Sequence, residues 1–133
     1  MNLDECIKKK LVIKKSIDKE TANSLKKLAE IRLNDVEKLS TTTLKVESYY
    51  EIIKELITAF MALNGYKSYS HECLISFLFS FSKDFESQEI NLIDQLRVIR
   101  NDIGYRGAFV DDDYLKRNKE KILKIINKLN KKI

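Results

Sequence analysis

The side chains best equipped for chemistry in this chain are Arg97 and the run Arg100-Asn101-Asp102-Ile103-Gly104-Tyr105-Arg106-Gly107. At about 100° per helical residue, Asn101 and Tyr105 lie about 40° apart with Arg100 on their flank, so all three can face one small site. Arg97, Arg100 and Arg106 are suited to phosphate, because a guanidinium presents its N–H donors as a fork. A phenol such as that of Tyr105 donates a hydrogen bond or stacks on an unpaired base. What the run lacks is a base. Tyrosine ionises near pH ~10 and histidine near ~6.5, so a tyrosine accepts protons poorly at neutral pH. The single histidine, His71, follows Ser70. The expectation is an ordinary helix-start residue beside a serine N-cap; the alternative is a distant group folded back toward Arg100.

Metal and cofactor chemistry finds no ligand set. One histidine and cysteines at 6 and 73 do not make a zinc site, and Asp111-Asp112-Asp113 reads as the capped start of a helix. No metal and no cofactor are expected. Cys6 and Cys73 are expected to pack as small apolar thiols in a reducing, cytoplasmic setting. The net charge of +5 is concentrated at the two ends, in Lys8, Lys9, Lys10, Lys14 and Lys15 and then from Lys116 to Lys132. Such clusters suit a polyanion, and they equally suit solvated helix faces.

The elements that must position these groups are helical. The 133 residues contain no proline and only three glycines, at 65, 104 and 107, and fit one domain spanning 1–133. Asp18 caps a helix with Leu25, Leu28, Ala29, Arg32, Val36 and Leu39 at three- and four-residue steps. A second, beginning near Glu47, is apolar on two faces and so central, and Asn64-Gly65 ends it. Ser70 opens a third, strongly apolar helix, destined for the core or a subunit interface. A fourth runs from about Ser87 into the polar run, and a fifth follows the three aspartates. Residues 1–17 form an extension that docks on the bundle, with Leu3, Ile7 and Leu11 at helical spacing and Leu11-Val12-Ile13 extended. No apolar run of about 18 residues is present, so no membrane span is expected.

Ser48-Tyr49-Tyr50 opening a helix, Ala59 to Tyr66 closing it, and Ser70-His71-Glu72-Cys73-Leu74-Ile75 starting the next resemble the HEPN domain family. Cys6-Ile7, Leu11 and Asp18-Lys19-Glu20 resemble the N-terminal extension of one subgroup. The resemblance implies an all-α, up-and-down bundle of four main helices plus a shorter one, commonly a two-fold homodimer. It also implies a family of RNA cleavers and toxin–antitoxin components, some paired with a nucleotidyltransferase. Their signature is an arginine, often a polar residue next, then a histidine four to six residues after the arginine. Arg100 and Asn101 match, whereas Tyr105 stands at the first histidine position and Arg106 and Gly107 at the others. The expected function is therefore a dimeric module contacting RNA or nucleotide through Arg97, Arg100 and Arg106, with Arg100, Asn101 and Tyr105 as a degenerate catalytic set. Two alternatives are a metal-independent endoribonuclease and a structural, partner-binding dimer.

Overall fold

A computed structural model describes all residues, 1–133. The chain is an all-α bundle, with elements α1 (Leu3–Lys8), β1 (Val12–Lys14), α2 (Lys19–Val36), α3 (Thr42–Leu63), β2 (Tyr66–Ser68), α4 (His71–Phe81), α5 (Ser87–Arg106) and α6 (Asp112–Asn130). Four long helices and the shorter α4 match the expected architecture. No helix is long and apolar enough to cross a membrane.

α3 is the axis, touching α2, α4, α5, α6 and β2. Its apolar residues point in more than one direction, and Tyr49, Tyr50, Ile52, Ile53, Leu56, Ile57 and Met61 are all buried. Ile93 and Leu96 of α5, Phe77 and Leu78 of α4, and Ile122 and Ile125 of α6 complete the same cluster. α3 begins at Thr42, earlier than the Glu47 expected from its apolar pattern. Its first turn is held by polar contacts that hydropathy does not register: Thr43 accepts a 2.8 Å bond from the Val110 N–H, and Thr42 bonds Asp112. The helix starts are satisfied locally, by Asp18 on Thr21 N–H, Ser70 on Cys73 N–H, Asp111 on Asp113 N–H, and a reciprocal Glu86–Glu89 box before α5.

The N-terminal arm docks as expected, by a route that hydropathy did not disclose. β1 pairs antiparallel with β2, with Val12 opposite Ser68 and Lys14 opposite Tyr66. Gly65 admits this pairing. Its φ of +78° is left-handed, and a Cβ there would sit 2.8 Å from the Lys15 carbonyl oxygen. Lys10, at φ 59°, turns the chain from α1 into the strand. Leu3 and Leu11 are partly buried, but Ile7 faces solvent, because α1 lies on α4 through Cys6 instead.

Cys6 and Cys73 are joined in a disulfide, with Cα atoms 6.0 Å apart, and are not the separate thiols expected from their spacing. Sixty-seven residues separate them in the chain, but the β1–β2 pairing brings α1 against the first turn of α4. The Met1 ammonium adds a 3.1 Å bond to Glu72 on the same turn. A disulfide typically stabilises a fold by about 2–4 kcal/mol, in the chain-entropy account by restricting the unfolded chain. The paired substitution Cys6→Ser with Cys73→Ser is accordingly expected to lower unfolding free energy by about 2–4 kcal/mol in urea titration. A loss below about 0.5 kcal/mol would show that the cross-link does not restrain the arm.

Candidate functional site: a cationic cluster over one carboxylate

α5 continues through Gly104 and ends at Arg106, with Gly107 (φ 63°) as its left-handed C-cap. Gly104 lies inside the helix, and only the second glycine of the polar run terminates it. The helix therefore carries Arg97 through Arg106 as one rigid frame. On it Arg97 and Arg106, nine residues apart, face opposite sides at about 100° per residue. Arg106 bonds Asp102 at 3.1 Å on the solvent side.

Arg100 turns inward. Its Nε donates to Glu51 Oε1 of α3 at 3.2 Å, and Lys54 Nζ reaches Glu51 Oε2 at 2.7 Å. One carboxylate thus holds two cations, one on each oxygen. Burial pushes the Glu51 carboxyl up, but its bonds to Lys54 and Arg100 and the charges of both outweigh this, so its pKa is lowered and it stays ionised. Arg97 is steadied by Asp94 at 2.8 Å. The Tyr50 hydroxyl, buried beside Arg97 and Arg100, is pushed up to about 12, first by desolvation, and remains a phenol.

His71, at the start of α4, comes to this cluster. Its ring centroid is 6.0 Å from that of Tyr50, and it shares a shallow hollow with Lys54, Thr58, Ser68 and Tyr69. Ser70, not His71, caps the helix. The imidazole pKa is lowered by desolvation first, then by Lys54, Arg100 and Arg97 against the opposing pull of Glu51. His71 is thus the helix-start residue beside a serine N-cap that the sequence suggested, and its ring stands next to Tyr50 and Lys54.

Of the residues singled out in the sequence, Arg97 and Arg100 therefore join a shared site. Asn101 is half-buried on the adjoining face of α5. Tyr105 is 85 % exposed on the last turn, and Arg106 lies with Asp102 on the solvent side. Glu51 and Lys54 are not singled out by the sequence, and His71 enters there only as an alternative. The available signal is Glu51, Lys54 and Thr58, polar residues at three- and four-residue steps within the most apolar part of the helix. No group of His, Cys, Asp and Glu in the structure is arranged to hold a metal ion.

The cluster sets three cations, Lys54, Arg97 and Arg100, against Glu51 and Asp94, with the His71 imidazole in the adjoining hollow that Lys54 lines. Such a surface attracts anions and offers a proton acceptor beside them. No family model, curated protein or solved structure matches this chain.

Two outcomes follow. A lowered histidine pKa means the folded state binds fewer protons than the unfolded state between the two pKa values. Stability contributed by His71 is thus present above the unfolded value near ~6.5 and lost as pH falls through the folded value. NMR titration of the imidazole is expected to give a midpoint below ~6.5 that moves upward when inorganic phosphate is added. A midpoint unmoved by phosphate would contradict an anion seat beside this ring.

Gly104 also serves the site, since a Cβ there would come 3.1 Å from Arg100 Nη1. Gly104→Ala is expected to raise stability by up to about 1 kcal/mol through helix propensity while displacing the guanidinium. Thermal unfolding paired with phosphate titration checks this, and an unchanged phosphate affinity would show that Arg100 does not depend on the gap.

Proposed function

We propose that this chain is a HEPN-like module that contacts RNA or nucleotide phosphate, acting as a two-fold dimer and without efficient catalysis of its own. The observation that carries the reading is the joining of Lys54 and Arg100, from two helices, on Glu51, with Arg97 one turn before Arg100 and His71 in the hollow that Lys54 lines. Phosphate oxygens carry the charge these groups select, and exchange of a Glu51 or Asp94 contact for a phosphate leaves each guanidinium satisfied. Tyr105, nearly free in solvent, is available to stack on an unpaired base beside the phosphate contacts. Its phenol does not supply the neutral-pH base that the family signature places at this position.

A second reading, metal-independent RNA cleavage, is favoured by one observation, the His71 imidazole in the hollow that Lys54 lines. In that reaction His71 accepts the 2′-hydroxyl proton, the 2′-oxygen forms its bond to phosphorus, and the bond to the 5′-oxygen breaks. The products are a 2′,3′-cyclic phosphate and a 5′-hydroxyl, the latter protonated from water. Arg100 and Lys54 stabilise the added charge on phosphorus.

Binding and cleavage of labelled single-stranded RNA in chelator separate these readings. Arg100→Ala is expected to weaken binding by roughly tenfold, consistent with a charge-assisted bond worth about 1.5–3 kcal/mol, and to flatten its salt dependence. Unchanged binding would remove the site from RNA contact. Metal-free cutting abolished by both His71→Ala and Arg100→Ala would replace the binding module by the enzyme; no cutting leaves the module standing.

A further inference from the structure

The outer face of α6 carries a second cationic feature. Arg117, Lys121, Lys124, Lys128 and Lys131 follow one another at steps of four, three, four and three residues and form a single stripe. It runs about 21 Å at ~1.5 Å per residue. Lys128 is neutralised by Glu89 at 2.7 Å. Arg117 bonds only the Asp113 carbonyl of its own helix, and Lys121, Lys124 and Lys131 form no ion pair. The nearby carboxylates are Glu86, Glu89, Glu120, Asp113 and Asp84, of which Glu89 holds Lys128 and Asp84 holds Lys132, so Arg117, Lys121, Lys124 and Lys131 are the stripe cations without a carboxylate partner.

The stripe borders an open hollow of about 520 Å³ between α5 and α6, lined by Lys121 and Lys124, by the carboxylates of Glu86 and Glu89, and by the carboxamides of Asn91, Gln95 and Asn118. Two of these amides are half-used. Gln95 Oε1 accepts from the Tyr114 hydroxyl at 2.6 Å, which leaves its N–H donors free. Asn118 Nδ2 donates to the Tyr114 carbonyl at 2.8 Å, which leaves its Oδ1 free as an acceptor. Charge for a phosphate backbone and uncommitted donors and acceptors for sugars and bases therefore stand side by side.

We propose that the α6 stripe and its hollow are a second nucleic-acid surface, a track for the backbone of single-stranded RNA. It shares only the class of partner with the cluster at Arg100, and stands on its own residues. An anionic membrane fits less well. The apolar side of α6, Ile122, Ile125, Ile126 and Leu129, is buried in the core and has nothing to insert. Carboxamides in a concave hollow also add little to adsorption on a flat charged surface.

The test is fluorescence anisotropy of an RNA about 20 nucleotides long at about 50 and 200 mM salt, with the intact protein, Lys121→Gln/Lys124→Gln and Arg97→Gln/Arg100→Gln. All four positions are at least partly exposed, and circular dichroism confirms that each variant folds. The lysine variant is expected to bind roughly tenfold more weakly and to lose about 1.4 from the salt slope, two contacts at ~0.7 each. If the arginine variant binds normally while the lysine variant fails, the reading of the Arg100 cluster falls and the track stands. Unchanged affinity and slope in the lysine variant overturn the track whatever the arginines do. Vesicles of phosphatidylcholine with phosphatidylserine supply the last arm: tighter binding to them than to RNA, dependent on the same two lysines, overturns RNA as the occupant.

Discussion

Glu51 is the interaction on which the site depends. It sits half-buried on the central helix, where an unpaired carboxylate would be costly, and two cations from different directions resolve that cost. Lys54 comes from the next turn of α3 and Arg100 from α5. Without the carboxylate, Lys54 and Arg100 would repel one another where the core helix reaches the surface. With it, Lys54 and Arg100 are each fixed on one of its oxygens. The same helix supplies the rigidity, because its remaining faces are sealed by Tyr49, Ile52, Ile53, Leu56 and Ile57. A functional group mounted there inherits the stability of the core.

The N-terminal arm completes this arrangement from the other side. Its strand pairs with β2, its first helix is cross-linked to Cys73, and Met1 meets Glu72. All three restraints converge on the segment that carries Ser70 and His71. Residues 1–17 thus do more than cover apolar surface, since they fix the start of α4 and with it the position of the histidine. Gly65 is the hinge of this design, where a left-handed turn and a close backbone approach leave no room for a side chain.

Most of the scaffold was legible because it rests on local chemistry. Asp18, Ser70 and Asp111 announce helix starts, Gly65 and Gly107 announce ends, and the two-faced apolar pattern of residues 49–63 announces a central helix. The β1–β2 ladder and the disulfide were not legible, because strands of three residues and a 67-residue separation leave no periodic trace. Gly104 gives no sign in the sequence of its role, since a glycine inside a helix is tolerated and here makes space for Arg100. In the site, Arg97 and Arg100 were visible as an isolated pair of cations. Their partners were hidden by distance along the chain. His71 is 29 residues from Arg100 and Glu51 is 49, so only the packing of α3 and α5 and the anchored start of α4 reveals them together.

The central claim is that His71 and Arg100 act on one phosphate over Glu51. A double-mutant cycle on RNA affinity tests it most directly, using His71→Ala, Arg100→Gln and the combination. Two residues that share a ligand group are predicted to be non-additive, with an interaction energy of about 0.5–3 kcal/mol. Losses that add to within about 0.3 kcal/mol would place the two side chains on independent contacts and contradict a shared site.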